Sequence, residues 1–297
     1  MKSFSELRDS HLTEDYLQLD EKLVIVGKGK KYNQVVFLAG GAGSGKGFTI
    51  QNFMEGNKYK IRDVDEWKRL VMKVRGLKDE NDEIANLDLR NPDDVAKLHQ
   101  VVDDMGIKDK SFSALLRGMS SDTRPNILFD VTLKNLGNLT KVLPSLLEAG
   151  YQPENIHLIW VLTDYSVSVK QNKNRARIVP DDILLQTHEG AANTMVKIIE
   201  GGLPSGMDGA CHVVLGGKEH TVVYTDNNGK PLTDRKGGVI VKDFTYFTMK
   251  KEGKPMLSNI SKGKGGTISG DLIKKKLYDV IMKKIPKGQT LAKLMDK

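Results

Sequence analysis

The chain has 297 residues, 39% hydrophobic and 28% charged, a balance that fits a globular protein with a sizeable core. Its net charge of +8 is concentrated in residues 250–297, where 13 lysines stand beside 4 acidic residues, so the remainder is close to neutral. No apolar run reaches the ~20 residues that cross a bilayer. The opening residues lack an apolar signal core, and the single cysteine, Cys211, excludes an internal disulfide, so a protein of the reducing cytoplasm with no membrane partner is expected.

Residues 1–22 are polar with a weak helical pattern, 23–26 form a candidate strand, and 27–33 read as a Gly- and Lys-rich loop. Residues 1–34 are therefore expected as an N-terminal extension. The β-branched and aromatic run 34–39 has the pattern of a strand buried on both faces. Glycines at 40–45 break it, and 46–54 follows as a helix that Gly56 would stop. A second strand is expected over 59–64. Trp67, Leu70, Val71 and Val74 then fall at i, i+3, i+4 and i+7, which starts a helix near Asp65. Residues 77–88 read as a loop. Asn91-Pro92-Asp93-Asp94 supplies a helix cap, a first-position proline and first-turn acids. A short helix over 111–119 precedes a third strand at 126–130.

A helix over 136–149, kinked by Pro144 and ended by Gly150, leads to a fourth strand at 156–162. Helices over 166–174 and 181–200 flank Ile178-Val179-Pro180. This alternation predicts an α/β fold, a parallel sheet with right-handed crossovers flanked by helices. Beyond Gly206, strands are expected at 211–215, 221–225 and 238–241. The first completes the parallel sheet, with Cys211 buried in it. The others make a small β-rich C-terminal extension, turned at Asp226-Asn227-Asn228-Gly229. Residues 258–269 read as a loop. An amphipathic helix over 271–284 carries Leu272, Ile273, Leu277, Val280 and Ile281 on the side that docks. The basic stretch 250–297 suits a nucleic acid, an acidic partner or plain solvent.

Gly40-Gly41-Ala42-Gly43-Ser44-Gly45-Lys46 satisfies G-x-x-x-x-G-K, follows an apolar strand and opens a helix. In that context the backbone N–H groups curl around phosphates, the helix N-terminus adds a favourable partial charge, and the lysine neutralises the β- and γ-phosphates. The α/β sheet is thus of P-loop NTPase type, spanning about 35–216. The candidate nucleotide-binding residues are Gly40, Gly41, Ala42, Gly43, Ser44, Gly45, Lys46, Gly47 and Phe48. Gly47 stands where Ser or Thr commonly helps hold Mg²⁺. Thr49, two residues on, points about 200° away on a helix and does not replace it. Metal binding through waters and nearby carboxylates is expected, with Asp63 and Asp130 as candidates.

Functional groups of a parallel sheet collect at the carboxyl ends of its strands. Asp65 falls near the end of the second strand, where a carboxylate serves as base toward an acceptor hydroxyl, as a helix cap, or as both. Asp130 ends the third strand and suits water-mediated Mg²⁺, a substrate contact or a simple turn. Arg175 and Arg177 precede Ile178-Val179-Pro180, and an arginine there stabilises a transferring phosphoryl group or merely solvates a helix end.

Four segments together resemble the zeta-toxin and polynucleotide-kinase-like P-loop kinases. They are the loop at 40–46, Ile-Arg-Asp-Val-Asp-Glu-Trp-Lys at 61–68, Leu-Phe-Asp-Val-Thr at 128–132 and Asn-Arg-Ala-Arg-Ile-Val-Pro at 174–180. The resemblance spans about 35–200 and implies a kinase core with a helical insertion at about 76–120. It also implies ATP with Mg²⁺, Lys46 on the phosphates, Asp65 as general base, and Arg175 or Arg177 as a lid arginine. The expected activity is γ-phosphate transfer to a hydroxyl of a nucleotide, nucleotide-sugar or nucleic-acid end. The alternative is a nucleotide-binding regulatory protein with little catalysis. Gly-Ser-Gly-Lys-Gly is also similar to adenylate kinase, but Phe48 breaks that likeness. Met-Lys-Ser-Phe-Ser-Glu-Leu resembles the start of proteins of large tailed phages, which would make the site a host cytoplasm. The region beyond residue 206 carries none of these likenesses.

Overall fold

The computed structural model describes residues 32–54, 56–117, 124–175, 177–234, 237–261 and 267–286. The strand and helical pattern expected before residue 27 lie outside them. Val35–Ala39 (β1) is buried at all five positions, as a central strand needs when it has a neighbour on each edge and helices on each face. Tyr59–Arg62 (β2), Asn126–Val131 (β3), Ile156–Thr163 (β4) and Cys211–Gly216 (β5) join it in the order β2-β3-β1-β4-β5, all parallel. In register, Val36 of β1 stands between Leu128 of β3 and His157 of β4. The order reverses at β1, the switch point at which such sheets open a ligand crevice.

Tyr246–Lys250 extends this sheet antiparallel to β5, although residues beyond 216 were expected to form only a separate extension. Two small antiparallel pairs lie outside it. Thr221–Val223 (β6) pairs with Val241–Phe244 (β7). Ile260–Ser261 pairs with Thr267–Ile268, inside the stretch read as a loop. The strand expected at 238–241 thus begins only at its last residue, and Tyr246–Lys250 is β8 in chain order.

The helices are Lys46–Phe53 (α1), Val64–Lys78 (α2), Pro92–Asp104 (α3), Ile107–Arg117 (α4), Gly137–Thr140 (α5), Leu143–Glu148 (α6), Tyr165–Lys173 (α7), Asp181–Gly201 (α8) and Gly270–Lys284 (α9). Asn91 caps α3, its side chain accepting from Asp93 N at 3.0 Å, as the capping pattern requires. The helix expected over 136–149 divides instead of kinking. Pro144 lies in the first turn of α6, where its missing N–H costs nothing. The helix expected from 111 starts at Ile107.

One core lies between a face of the sheet and α8 and α9. Phe37, Leu158, Trp160 and Val213 meet Ala192, Met195, Ile199, Leu277 and Ile281 there. Leu272, expected on the docked side of α9, is exposed. The opposite face packs Val36, Leu128, Val161 and Val214 against Phe53 and Phe244, whose rings stack 3.7 Å apart. The insertion has its own small core of Val71, Ile84, Leu98 and Val102. Among the described residues no helix is long and apolar enough to cross a membrane.

Candidate functional site

The glycine loop leaves β1 at the switch point and turns into α1. Gly43 has φ 72, and a Cβ on it would sit 2.8 Å from Ser168 O of α7, so both backbone sterics and space demand glycine. A Cβ on Gly41 would lie 2.4 Å from the His188 ring of α8. Thr163 Oγ1 at the end of β4 donates to Ser44 O at 2.5 Å and pins the loop to the sheet. The Ser44 hydroxyl is itself buried and has no hydrogen-bond partner. No side chain caps α1, whose first residue is Lys46, so its leading N–H groups are left for an anion.

Lys46 Nζ donates to Gly40 O at 2.8 Å and lies 3.5 Å from Asp130 Oδ1 of β3. Gly47 and Phe48 are exposed. Thr49 is buried, and its hydroxyl donates to Gly45 O at 3.2 Å, so it takes no part in the loop's open face. Among the described residues no three His, Cys, Asp or Glu side chains gather to hold a metal ion.

The second strand ends at Arg62, earlier than expected, because α2 already begins at Val64. Asp63 is therefore the one linking residue and is half-buried. Asp65 is the second residue of α2, in its first turn rather than at a strand end. The Arg62 guanidinium lies 5.1 Å from the centre of the Phe112 ring and 5.9 Å from that of Phe129, and donates to Ser111 Oγ at 2.9 Å. Burial lowers its pKa, while Asp109 opposes that shift. Sequence reasoning passed over Arg62. Its signal was a basic residue one position before Asp63, at the end of the strand Tyr59-Lys60-Ile61-Arg62.

Arg175 is exposed and Arg177 half-buried, on the link between α7 and α8. The base of that link is closed by Asn172, which is fully buried. Its Nδ2 donates to Val179 O at 2.7 Å and its Oδ1 accepts from Val179 N at 3.0 Å. Ile178 N donates to Leu89 O at 3.1 Å, tying the link to the insertion. On α8, Thr187 Oγ1 accepts from Ala42 N at 3.2 Å and the His188 ring meets Ala42 O through Nε2 at 2.8 Å. Burial lowers the His188 pKa, the bond to Ala42 opposes that shift, and the nearby Lys46 adds to it. In sequence, His188 reads as a structural or lid-contact residue on a helix, whereas nothing there singles out Thr187 or Asn172.

A 2-3-1-4-5 parallel sheet with a glycine loop after β1 and a lysine opening the next helix defines a P-loop NTPase-type protein. A family model described as zeta toxin matches residues 25–228, most of the chain, and the chain belongs to that family. No curated protein matches it in sequence. Among solved structures it is similar to one from the PezAT chromosomal toxin-antitoxin system of the human pathogen Streptococcus pneumoniae. That match has 12% identity, covers 100% of this chain and 94% of the other, and has a TM-score of 0.43. It is also similar to the native AvrRxo1-ORF1:-ORF2 complex, at 12% identity over 98% and 83% of the two chains, with a TM-score of 0.45. AvrRxo1-ORF1:-ORF2 with ATP matches at 11% identity over 95% and 80%, with a TM-score of 0.44.

Proposed function

We propose that the protein is an ATP-dependent phosphotransferase that moves the γ-phosphate to a hydroxyl of a nucleotide, nucleotide-sugar or nucleic-acid end. The observation that carries this is the meeting of Lys46 and Asp130 beside the glycine loop, with Asp63 and Asp65 following the strand next to Asp130's own. A triphosphate fits the loop. The uncapped start of α1 offers N–H donors to an anion, and Gly45 and Gly47 leave open space beside it.

In this reading the backbone of residues 40–48 holds the phosphates and Lys46 neutralises the β- and γ-oxygens. Mg²⁺, held through water by Asp63 and Asp130, would withdraw charge from the same oxygens. Asp65 orients the acceptor hydroxyl and takes its proton. The acceptor oxygen bonds to the γ-phosphorus as the bond to the β–γ bridging oxygen breaks and ADP leaves. Arg175 or Arg177 stabilises the charge on the transferring group. The lysine-rich C-terminal segment supplies a surface for a nucleic-acid or acidic partner, in a cytoplasmic setting.

The test is transfer of labelled γ-phosphate from ATP to a panel of nucleotides, nucleotide-sugars and 5′-hydroxyl oligonucleotides. Label on one acceptor, lost in Asp65→Ala, is expected. Normal transfer by Asp65→Ala would remove the base assignment. A second reading, a nucleotide-binding regulatory protein with little turnover, is favoured by Gly47, which offers no hydroxyl while Thr49 is engaged by Gly45. It predicts tight ATP binding and no label on any acceptor.

A further inference from the structure

Both backbone polar groups of Ala42 are taken by consecutive residues of α8. Thr187 spends its hydroxyl hydrogen on Leu184 O at 2.7 Å, which leaves its oxygen to accept from Ala42 N at 3.2 Å. A carbonyl only accepts, so His188 Nε2 carries the hydrogen shared with Ala42 O at 2.8 Å. The His188 ring also fills the space over Gly41, and the Ser168 carbonyl fills the space over Gly43. The crest of the loop is therefore wedged between α7 and α8. These are the two helices joined by the link that carries Arg175 and Arg177, with its base closed by Asn172 and Val179.

A loop whose N–H groups converge on one point is unfavourable without its anion, because like dipoles face each other and lose water. Anchoring both backbone groups of Ala42, while Ser44 N donates to Gly41 O at 3.2 Å, leaves the amides of Gly43, Gly45, Lys46 and Gly47 to face inward. We propose that Thr187 and His188 are positioning residues that hold the phosphate loop in its anion-binding shape. Through them, α7 and α8 connect nucleotide affinity to the arginine-bearing link. The inference rests on the reading of the loop as an ATP site.

Two measurements on the full chain separate the inference from that reading. The first is titration calorimetry with the non-hydrolysable analogue AMP-PNP and Mg²⁺. His188→Ala is expected to weaken binding about tenfold, the scale of one lost hydrogen bond plus its packing. His188→Gln places an N–H near the same carbonyl and returns affinity to within about threefold of the parent. Thr187→Val weakens binding about threefold or more, and Thr187→Ser does not. The second is hydrogen–deuterium exchange, without nucleotide, of the Ala42 and Ser44 amides, which donate to Thr187 Oγ1 and Gly41 O; exchange is expected to quicken in His188→Ala and Thr187→Val and to stay parent-like in His188→Gln.

A merely structural role would lower the melting midpoint in all these variants and leave the Gln rescue of affinity absent. Parent-like affinity and parent-like loop exchange in folded His188→Ala or Thr187→Val overturn the positioning role. A parent that binds no nucleotide, yet whose loop exchange quickens in the variants, overturns the ATP reading and the affinity link while leaving the clamp itself.

Discussion

Lys46 Nζ lies 3.5 Å from Asp130 Oδ1 while donating to Gly40 O at 2.8 Å. The loop lysine is thus shared between the carbonyl that follows β1 and the end of β3. On the proposed function, an arriving phosphate would compete with Asp130 for Lys46 and leave Asp130 to a metal-bound water. Lys46→Ala is expected to lower phosphate transfer by about 100-fold or more, the scale for losing a donor to transferring charge. Asp130→Asn keeps the shape and removes the charge. It is expected to raise the Mg²⁺ concentration for half-maximal rate about tenfold, the scale of an outer-shell ligand. Equal Mg²⁺ dependence in Asp130→Asn and parent would remove Asp130 from the metal.

Asn172 sets a different expectation. Its two bonds to Val179 close the base of the link that carries Arg175 and Arg177. Asn172→Ala leaves the buried N–H and C=O of Val179 unpaired, at a cost of about 1–3 kcal/mol in stability. The loop is bonded by Thr187 and His188 rather than by this pair, so the expected kinetic signature is a lower kcat with a smaller loss of ATP affinity than in His188→Ala. Arg175→Ala and Arg177→Ala compared side by side identify the acting arginine, whose loss lowers kcat by about 100-fold or more. Unchanged kcat in both single variants and in the double variant would assign neither a role in transfer.

The strands and the loop were legible because their signals are local. Residues 34–39 are apolar at nearly every position, which only a strand buried on both faces requires, and the glycines that follow end it abruptly. Asn91 and Pro92 announced α3 by capping chemistry alone. Tyr246–Lys250 was missed because its burial does not alternate. It is buried only at Met249 and Lys250, and its partner is β5, far away in sequence. Asp65 was placed at a strand end because the run 59–64 reads as extended, whereas helix periodicity from Trp67 reaches back to Val64. His188 and Thr187 sit in the buried stripe of α8 among Leu184, Ala191 and Ala192, where a polar side chain is indistinguishable in sequence from a core residue. Only the spatial approach of the loop reveals that both bond Ala42.

His212 gives a prediction in pH. It is buried in β5, neither ring nitrogen has a hydrogen-bond partner, and the ring of Tyr246 meets it edge-on at 5.8 Å. Burial first, and the neighbouring His157 second, push its pKa down to about 3. In the unfolded chain a histidine titrates near 6.5. Between these values the unfolded state binds a proton that the native state refuses, so stability falls as pH drops from about 6.5 toward 3, by up to about 1.4 kcal/mol per unit. Above about 6.5 this residue adds no pH dependence. His212→Leu is expected to be neutral or stabilising at pH 7, because it removes two unpaired polar atoms, and to flatten the decline between pH 6.5 and 5. Urea unfolding at pH 7 and pH 5 measures both. A decline as steep in His212→Leu as in the parent would show that other groups carry the acid sensitivity.

Among the described lysines of the C-terminal segment, two sets carry opposite expectations. Lys250 is buried and bonded to Asp208 Oδ1 at 2.6 Å. Lys284 is buried and pairs with Glu219 at 3.1 Å, and Lys274 pairs with Glu200 at 2.6 Å. These hold β8 and α9 to the body and are not free to contact a partner. Leu277 and Ile281 of α9 are fully buried against the sheet, so Leu277→Ala is expected to cost about 2–5 kcal/mol. Removing residues 250–297 would expose that core and confuse loss of a partner with loss of the fold. Lys275, Lys276 and Lys283 are exposed instead. Their joint replacement by Glu is expected to leave the melting midpoint within a few degrees. If this surface contacts a nucleic-acid backbone, the triple variant also loses affinity for an oligonucleotide and flattens the slope of log K against log salt by up to about three, one per neutralised phosphate. Parent-like affinity and slope in the triple variant would exclude these three lysines from any nucleic-acid contact.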